Sequence, residues 1–340
     1  MTPVPEGSRV TLEDVARHAG VSRALVSIVM RGAKGAGEQT RARVLAAADE
    51  LGYRPDVRAR ALAGQRSRLI GVTFGVAGSF HFDLLEGLYA AARDHGHELV
   101  LSALTRGRDE QAAVLSLQDF RFDALVMLAP QTPAPLLAGT VPVVVVGWQV
   151  DDPRVDVVRT SDTSALDQAV DHLVGLGHRD VVHLDGGSGL VAASRRSAYA
   201  AAMARHGLER HARVVSGGET QLDGMRAARE LIAGPLPTAV VAYNDDVAVA
   251  AQGVLAQHGV DVPGRVSVVG LDGQEVSGLS PRVLTTLVQD PVALARAAIE
   301  RAVARAEAAP GPGGPDGGRE LVLEPVLRVG GTTAAPPPHP

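Results

Sequence analysis

The chain has 340 residues, of which 46% are hydrophobic and 21% charged, a composition typical of a globular protein with room for two or three domains. It contains no cysteine, which excludes disulfides, thiolate metal sites and cysteine nucleophiles. The formal net charge is -5, but residues 1–66 hold eleven basic and only seven acidic side chains. A basic segment on an acidic remainder indicates that one end of the chain contacts nucleic acid.

Residues 10–27 predict two short helices joined by a tight turn. Thr11 can cap the first helix, with Asp14 as its capping-box partner, and Gly20 suits a left-handed helix end. Ser22 can cap the second helix. Two helices joined by a short turn that contains glycine form a helix-turn-helix, a shape that fits the major groove of DNA.

A third helix is predicted from about Glu38 to Leu51, because Gly52 and Pro55 end the helical pattern. The side chains expected to face the first two helices are Val44, Leu45, Ala48 and Leu51. The segment 56–64 has helix-forming residues but is too short to be a stable helix alone in water. We expect it to become ordered only between a partner and DNA.

The pattern changes at Ser67, where short apolar runs begin to alternate with amphipathic helical stretches. The alternation runs over 69–146 and again over 163–270, followed by a helix over 290–308 and one late strand over 321–329. Two rounds of this alternation predict two subdomains, each with a parallel sheet. The fold class is therefore an N-terminal all-α helix-turn-helix head and an α/β body of two doubly wound parallel-sheet subdomains. The expected domains are a head (1–55), a hinge (56–66), a body (67–333) and a disordered Pro-rich tail (334–340).

The N-terminus lacks the basic and apolar regions of a signal peptide, and the longest apolar run, 141–146, is only as long as a strand. We therefore expect a cytoplasmic protein without membrane contact, associated with the nucleoid through its basic end.

Several segments carry a resemblance to a known family. The head and hinge contain VTLEDVARHAGVS, TRARVLAAADELGYRPD and RARALAGQRSRLIGV, and the body contains HLVGLGHRDVVHL, AYNDDVAVAA, SVVGLDG and LTTLVQDP. In this order and spacing they resemble the lactose-repressor (LacI/GalR) family of bacterial transcription factors, over about residues 9–333. The resemblance implies a homodimer, or a dimer of dimers, that binds a palindromic double-stranded DNA operator through its heads. It also implies a small-molecule effector in the cleft of a body like that of a type I periplasmic binding protein. No leucine-heptad extension follows the body, so a homodimer is the default expectation.

The resemblance places Arg23, Ala24 and Leu25 at the start of the recognition helix, facing base edges. Arg23 either makes a bidentate contact to guanine or touches a phosphate. Ser22 and Ser27 are expected to contact phosphate or to cap the helix. The full set expected to contact DNA is Thr11, Ser22, Arg23, Ala24, Leu25, Ser27, Arg31, Arg58 and Leu62.

Two positions depart from the family pattern. Ile28 stands where the family usually has a base-reading arginine, and Arg31 stands where it often has asparagine, so the operator of a better-known relative is not carried over. Leu62 matches the family's hinge leucine, a pair of which wedges into the minor groove at the operator centre. The alternative for Leu62 is an ordinary linker residue.

The resemblance marks six effector residues, which are Phe80, His81, Trp148, Arg195, Asn244 and Asp272. The planar fork of Arg195 suits vicinal hydroxyls, a carboxylate or a phosphate, and the Asp272 carboxylate can accept from two sugar hydroxyls. Structural roles stay open beside these. Arg195 can pair with a surface carboxylate and Asp272 can cap a turn, while Asn244 can cap the helix that follows it and Trp148 can lie in the core.

A sugar or sugar derivative is the favoured effector on family frequency, with a nucleoside or base second. Gly147 stands where several relatives have an acidic residue, and Ser161–Asp162 replaces their usual Asp-Asn pair, so no known ligand is carried over. A repressor is favoured over an activator, and whether the effector induces or corepresses stays open.

Other classes of protein compete with this interpretation. Residues 187–192 fit the dinucleotide motif G-x-G-x-x-A, but the next strand, 212–215, ends without an acidic residue for a ribose. Two pairs of histidines lack neighbouring metal ligands and are expected in solvent at helix ends or sheet edges, namely His95 with His97 and His178 with His183. The residues therefore predict no catalytic set, cofactor or metal, and no enzyme. A transport solute-binding protein shares the expected body, but the basic head and the missing export signal favour a regulator.

Overall fold

The computed structural model describes residues 10–30, 34–53, 66–76, 78–105, 107–132, 140–274, 282–308 and 318–338. The chain forms two compact units, Met1–Ser67 and Arg68–Pro340, and the second begins one residue after the expected start of the body. Three residues predicted to contact DNA, namely Arg31, Arg58 and Leu62, lie outside the described residues, as does nearly all of the expected hinge.

The head is built from three helices, which are α1 (Leu12–Ala19), α2 (Arg23–Met30) and α3 (Glu38–Glu50). The predicted capping box closes α1, because the Thr11 hydroxyl accepts from the backbone N–H of Asp14 and the Asp14 carboxylate accepts from the backbone N–H of Thr11. Gly20 ends α1 with a φ of 63°, a left-handed conformation that glycine adopts without strain. The Ser22 hydroxyl accepts from the backbone N–H of Leu25 and so caps the start of α2.

The three helices pack on Val15, Val26 and Val44, one fully or almost fully buried valine from each helix. The expectation that Leu45 faces this core is wrong, since Leu45 is 47% exposed. The buried face of α3 contains Val44, Ala47 and Ala48. Leu45 lies about 100° around the helix from Val44 and therefore points away from this face.

The body alternates strands and helices as predicted. Its strands are β1 (Leu69–Gly75), β2 (Glu98–Leu104), β3 (Ala124–Leu128), β4 (Val143–Val146), β5 (Val155–Thr160), β6 (Val181–Leu184), β7 (Arg213–Val215), β8 (Ala239–Ala242), β9 (Ser267–Asp272), β10 (Thr285–Val288), β11 (Glu320–Leu323) and β12 (Val326–Arg328). Its helices are α4 (Phe80–Asp94), α5 (Glu110–Gln118), α6 (Asp162–Gly175), α7 (Leu190–Arg205), α8 (Gln221–Ala233), α9 (Asp245–Gln257) and α10 (Pro291–Glu307). None of the helices in the described ranges has the length and apolar character that crossing a membrane requires.

The strands form two six-stranded sheets, one in each subdomain. The first has the order β11-β5-β4-β3-β1-β2 and all of its pairs are parallel. The second has the order β12-β10-β9-β8-β6-β7 and is parallel except for the edge pair of β10 with β12. Helices that follow the strands cover the sheets, so both sheets bury their apolar faces, as parallel sheets require.

The chain passes between the two subdomains three times, from β5 to α6, from β10 to α10, and from β11 to β12. Leu166 and Val170 of α6 are buried in the core of the second subdomain. Leu294 and Ile299 of α10 are buried in the core of the first. The helix α10 therefore follows the second sheet in the sequence but covers the first, so the two subdomains are interleaved along the chain.

The end of the chain differs from the sequence prediction in two ways. The single strand expected over 321–329 is two strands that pair in different sheets, because Pro325 has no N–H to donate to a ladder and its carbonyl accepts from the Gln168 side chain instead. The expected disorder of 334–340 does not extend to Ala334. The carbonyl of Ala334 accepts from His178 Nε2 at 2.9 Å and from the Ser267 hydroxyl at 3.1 Å.

His95 is exposed at the end of α4, as expected, but the expectation of solvated positions is wrong for the buried His97, His178 and His183. His178 is 1% exposed and His183 is fully buried. His183 lies in the centre of the second sheet, where its Nδ1 donates to the carbonyl of Val241 and its ring stacks on Tyr199 at 5.3 Å between centroids. Burial lowers the pKa of His183 to about 4, so the ring is neutral at pH 7.

Candidate functional site

A cavity of about 70 Å³ lies between the two subdomains, at the carboxyl ends of strands from both sheets. The first sheet reaches it through Val146 at the end of β4, and the second sheet reaches it through the segments that end β8 and β9. This edge is where open α/β sheets bind ligands. Five of the six predicted effector residues line the cavity, namely Phe80, His81, Arg195, Asn244 and Asp272.

Arg195 is held on several sides inside the cavity wall. Its Nε donates to Asp162 Oδ1 at 3.2 Å, and one terminal nitrogen donates to the carbonyl of Tyr243 at 2.6 Å. The other terminal nitrogen lies 3.9 Å from Asp272 Oδ1, and the guanidinium carbon lies 4.6 Å from the centre of the Tyr243 ring. Arg195 therefore pairs with two largely buried carboxyl groups rather than with a surface one.

Asp272 ends β9 in an unusual backbone conformation, with a φ of 119°. A residue other than glycine pays roughly 1–3 kcal/mol for such a conformation, and strain of this kind is concentrated at functional sites. Gln289 donates to Asp272 Oδ1 at 2.7 Å. Burial raises the pKa of Asp272 to about 8, with Arg195 opposing the shift only in part. The carboxyl group therefore holds its proton over most of the neutral range and can donate to a ligand as well as accept.

Asn244 caps α9 and also lines the cavity. Its Oδ1 accepts from the backbone N–H of Val247 at 2.9 Å, which is the helix cap that the sequence left open. Its Nδ2 donates to the carbonyl of Glu219 at 2.9 Å. These two bonds hold the amide rigidly at the cavity wall.

Hydrogen bonds join the two subdomains beside the cavity. Asp246 Oδ2, at the start of α9, accepts from the backbone N–H and the hydroxyl of Ser79, which precedes α4. The side chain of Gln274 donates to Asp83 Oδ2 at 2.9 Å. We refer to these two contacts, Ser79–Asp246 and Asp83–Gln274, as the latch. They hold the first subdomain against the second in this structure.

Three further polar side chains line the cavity that sequence reasoning missed, namely Glu219, Tyr243 and Gln289. Tyr243 follows β8 and Gln289 follows β10, so their positions at the carboxyl ends of strands were a usable signal. Glu219 lies in a loop after a three-residue strand and has no such signal. Burial raises the pKa of Glu219, while His81 and Arg195 oppose the shift.

A chamber of about 340 Å³ adjoins the cavity and shares His81, Glu219 and Tyr243 with it. The glycine-rich segment 186–189 forms part of its wall. A Cβ at Gly186 would overlap the Tyr243 ring, so glycine is needed there for close packing of that ring.

Trp148 does not lie with the other five predicted effector residues. It is half-buried and lines a separate cleft of about 640 Å³, which also contains Asp162. The structure thus places Trp148 neither in a core nor at the cavity between the subdomains.

In the head, Arg23 and Ala24 are exposed at the N-terminus of α2, while Leu25 and Ser27 are half-buried. The Thr11 hydroxyl donates to Asp14 Oδ2 at 2.6 Å within the capping box. The exposed start of the second helix of a helix-turn-helix is the part that reaches base edges in the major groove.

Comparisons with known proteins agree with both units. Residues 11–56 match the family model of bacterial regulatory proteins, lacI family, and residues 170–333 match that of the periplasmic binding protein-like domain. The HTH-type transcriptional regulator GalR of Escherichia coli (strain K12) is 32% identical over 311 residues, which cover 89% of this chain and 91% of GalR. The chain belongs to the LacI family of bacterial regulatory proteins.

Two other LacI-family proteins are also similar to this chain, one in sequence and one in structure. The ribose operon repressor of Escherichia coli (strain K12) is 32% identical over 306 residues, covering 85% of this chain and 91% of that protein. A crystal structure of the Lac repressor dimer bound to operator and an anti-inducer superimposes with a TM-score of 0.84 at 28% identity, covering 96% of this chain and 100% of that one.

Membership of the LacI family confirms the resemblance read from the motifs and the fold class. This LacI-family chain is a DNA-binding transcriptional regulator with a periplasmic-binding-protein-like body, and not an enzyme. The individual roles of the predicted DNA and effector residues stay predictions.

Proposed function

We propose that this LacI-family regulator is a repressor that binds a palindromic operator as a homodimer and is controlled by a small molecule held between its subdomains. The cavity carries the proposal, because Arg195 and Asp272 of the second subdomain face Phe80 and His81 of the first across one enclosed space. A ligand that contacts both subdomains can change their relative position, and allosteric control requires such a change.

The cavity chemistry favours a neutral effector that carries hydroxyl groups, such as a sugar. The charge of Arg195 is already met by Asp162, and Asp272 and Glu219 add two further carboxyl groups. An anionic ligand would therefore face more carboxyl groups than unpaired cations. One relative is named for the ribose operon, which supports a sugar. A nucleoside is the second candidate, with Phe80 as the surface on which a base stacks.

The space available also bears on the effector. A cavity of about 70 Å³ holds little more than two water molecules, which occupy about 30 Å³ each in the liquid. The adjoining chamber of about 340 Å³ brings the space into the range of small-molecule sites, roughly 300–1,000 Å³. We infer that the effector either extends past Glu219 into the chamber or enters after the latch has opened.

The latch can couple ligand binding in the body to operator binding by the head. A ligand that favours or disfavours the Ser79–Asp246 contact changes how close the two subdomains lie. In a dimer this moves the two hinge segments together or apart, and operator binding requires them together. The coupling is reciprocal, so the operator changes effector affinity by the same factor.

Exposed aromatic side chains support the homodimer. Phe82 and Tyr89, which are 64% and 47% exposed, lie seven residues apart on one face of α4. Exposed apolar groups on a single helix face are typical of protein interfaces. The related Lac repressor is described as a dimer bound to operator.

Selection of genomic DNA fragments with the full-length protein tests the proposal, with a protein lacking residues 1–66 as the control. We expect one palindromic motif, recovered by the full-length protein and lost on deletion. The selection is repeated with pooled sugars and with pooled nucleosides, which distinguishes a missing corepressor from a head that does not bind DNA. Absence of enrichment under all three conditions would contradict the proposal.

A further inference from the structure

The second helix of the head, α2, is almost entirely apolar. All of its residues except Arg23 and Ser27 are aliphatic or methionine, and it carries no acidic side chain. Val26 and Val29 are 0% and 3% exposed and face the core of the head. These two valines occupy one side of the helix, so part of its apolar surface lies outside the core.

The side of α2 opposite this core holds Ala24 and Ile28. Residues four apart lie one above the other on the same face of a helix, and both residues lie at least about 130° around the axis from the midpoint between Val26 and Val29. Ala24 is exposed and Ile28 is half-buried. Two aliphatic side chains therefore lie on the outward side of the helix, next to the exposed Arg23.

The turn between α2 and α3 leaves Ile28 accessible. A Cβ at Gly35 would lie 3.6 Å from Ile28 Cγ2, so a side chain there would cover one flank of the isoleucine. Gly35 has a φ of 132°, which residues with side chains rarely adopt. The backbone conformation therefore favours glycine at this position, and glycine keeps that flank of Ile28 open.

An aliphatic side chain distinguishes base pairs through the methyl group of thymine. The major-groove edges of guanine, cytosine and adenine present hydrogen-bond donors and acceptors, whereas thymine adds a methyl group beside its acceptor. An aliphatic side chain against that methyl group removes apolar surface from water. The same side chain against a purely polar base edge takes donors or acceptors out of water without replacing their hydrogen bonds. The outward side of α2 therefore complements thymine.

We propose that Ile28 and Ala24 determine operator specificity by contacting thymine methyl groups in the major groove. The inference rests on the proposed function and deepens it, because it names the base that α2 selects. Residues 24 and 28 are about 6 Å apart along the helix axis, close to two base steps of about 3.4 Å each. Each half-site of the operator therefore contains thymines within about two base steps of each other.

Removal of single methyl groups from DNA tests the inference without altering the protein. Selection from random duplex DNA with the full-length protein first identifies the operator. The recovered duplex is then made with deoxyuridine in place of each thymidine in turn, which removes the methyl group and keeps the base pair. We expect one or two positions in each half-site to lose affinity in fluorescence anisotropy, by about fourfold for each methyl group. At these positions a pair of 5-methylcytosine with guanine should bind more tightly than a pair of cytosine with guanine, since it restores the methyl group.

Protein variants assign a methyl contact to Ile28. In Ile28→Ala the thymine and uracil duplexes should bind almost equally at the position that Ile28 contacts, because the two changes remove the same interaction. Ile28→Val keeps a branched aliphatic side chain and should retain most of the wild-type difference. Leu45→Ala is the matched control, since it removes an exposed aliphatic side chain of the head outside α2 and should leave the difference unchanged. Thermal melts verify that each variant is folded.

Two results would overturn the inference and leave the proposed function standing. One is an enriched palindrome in which deoxyuridine changes affinity by less than about twofold at every thymine. The other is an equal loss at each thymine for wild type and Ile28→Ala, which would assign the methyl contacts to another part of the head. Failure to enrich any motif contradicts the proposed function, and the inference falls with it.

Discussion

Asp246 and Ser79 join the two subdomains through a single carboxylate oxygen. Asp246 Oδ2 accepts from the backbone N–H of Ser79 at 3.0 Å and from its hydroxyl at 2.9 Å. The two residues are far apart in the chain and belong to different subdomains, so these bonds exist only while the subdomains are close. The position of the first subdomain relative to the second therefore depends on a few polar contacts beside the cavity, which a ligand can strengthen or replace.

Ser79→Ala should shift the body toward an open form. The substitution removes the hydroxyl bond to Asp246 and keeps the backbone bond. Hydrogen bonds to charged groups contribute roughly 1.5–3 kcal/mol, so we expect the open form to become about tenfold more populated. Faster hydrogen exchange in the first turn of α4 and a larger radius of gyration in solution scattering measure this.

The matched control for the latch is Gln221→Ala. Gln221 donates to the other oxygen of Asp246 at 3.1 Å, but both residues belong to the second subdomain. Its loss should leave exchange in α4 unchanged. If the two variants open the body equally, the Ser79–Asp246 contact is not a latch.

Arg195→Ala should abolish the effector response and leave operator binding intact, because Arg195 lines the cavity in the body while the operator is bound by the head. Arg196→Ala is the control, since the neighbouring guanidinium pairs with Asp185 and does not line the cavity. The measurement is release of labelled operator by the effector that screening identifies.

Removing Arg195 also leaves the largely buried Asp162 without its cation, and such a loss in a buried site is strongly destabilising. Arg195→Lys therefore accompanies the alanine variant. It keeps the charge and loses the planar fork, so we expect a folded protein with a weakened effector response. A normal response in both variants would exclude Arg195 from the effector site.

Asp272→Asn should stabilise the effector-free protein more at pH 8 than at pH 5. The pKa of Asp272 is about 8 in the folded protein against 3.8 for an unperturbed aspartate, so the folded state retains a proton over this interval that the unfolded state has lost. The free energy of unfolding therefore falls as the pH rises from about 4 to about 8. Asparagine does not titrate, so the variant lacks this pH dependence of the free energy of unfolding. The dependence amounts to a few kcal/mol over the whole interval.

Thermal unfolding at several pH values measures the effect of Asp272→Asn. Asp94→Asn, at an exposed position of α4, serves as the comparison and should change the melting temperature little at any pH. If the melting temperatures of wild type and Asp272→Asn change with pH in the same way, Asp272 is ionised in the folded protein and the prediction fails.

His183 should make the body sensitive to acid. Its pKa is about 4 when folded and 6.5 in the unfolded reference, so the unfolded state binds a proton first as the pH falls. Stability is complete above pH 6.5 and is lost as the pH falls toward 4, by about 3 kcal/mol for this group. His183→Phe keeps a ring against Tyr199 and should show a shallower loss of stability over this range.

Nuclear magnetic resonance tests the His183 prediction directly. The ring signal that disappears in His183→Phe identifies this histidine among the eleven of the chain. That signal should not titrate above pH 5. A midpoint near 6.5 would mean that the ring is solvated rather than buried.

Leu62→Ala should cut operator affinity by more than tenfold while the protein stays folded. The expectation rests on the family resemblance, in which a pair of hinge leucines wedges into the minor groove and kinks the operator. Leu45→Ala, at an exposed position of the head, is the matched control and should bind normally. Operator titrations by fluorescence anisotropy, with thermal melts to verify folding, decide the question. Equal affinities for wild type and Leu62→Ala would make this leucine an ordinary linker residue.

Much of the architecture could be predicted from the sequence, because its signals are local. The capping box of Thr11 with Asp14 and the left-handed stop at Gly20 depend on residues within one or two helical turns. The alternation of apolar strands with amphipathic helices is likewise set by neighbouring residues, and it predicted both parallel sheets. β5 was missed because Asp156 and Arg159 interrupt its apolar run. Asp156 is nevertheless buried there, because its carboxylate accepts two hydrogen bonds from Arg305, a residue distant in sequence.

Five of the predicted effector residues could also be placed at the cavity from the family motifs, since Phe80, His81, Asn244 and Asp272 lie at a strand end or a helix start and Arg195 lies in the second turn of α7. Only the tertiary structure separated Trp148 from them and added Glu219, because cavity membership depends on distances between segments that no local pattern encodes. The same reason applies to His183, which looks like a surface residue until the sheet closes around it. The sequence by itself determined the kind of protein and the elements that build it. The packing of the two subdomains decided which side chains face one another, and with them the charge of the cavity, the latch and the separate cleft beside Trp148.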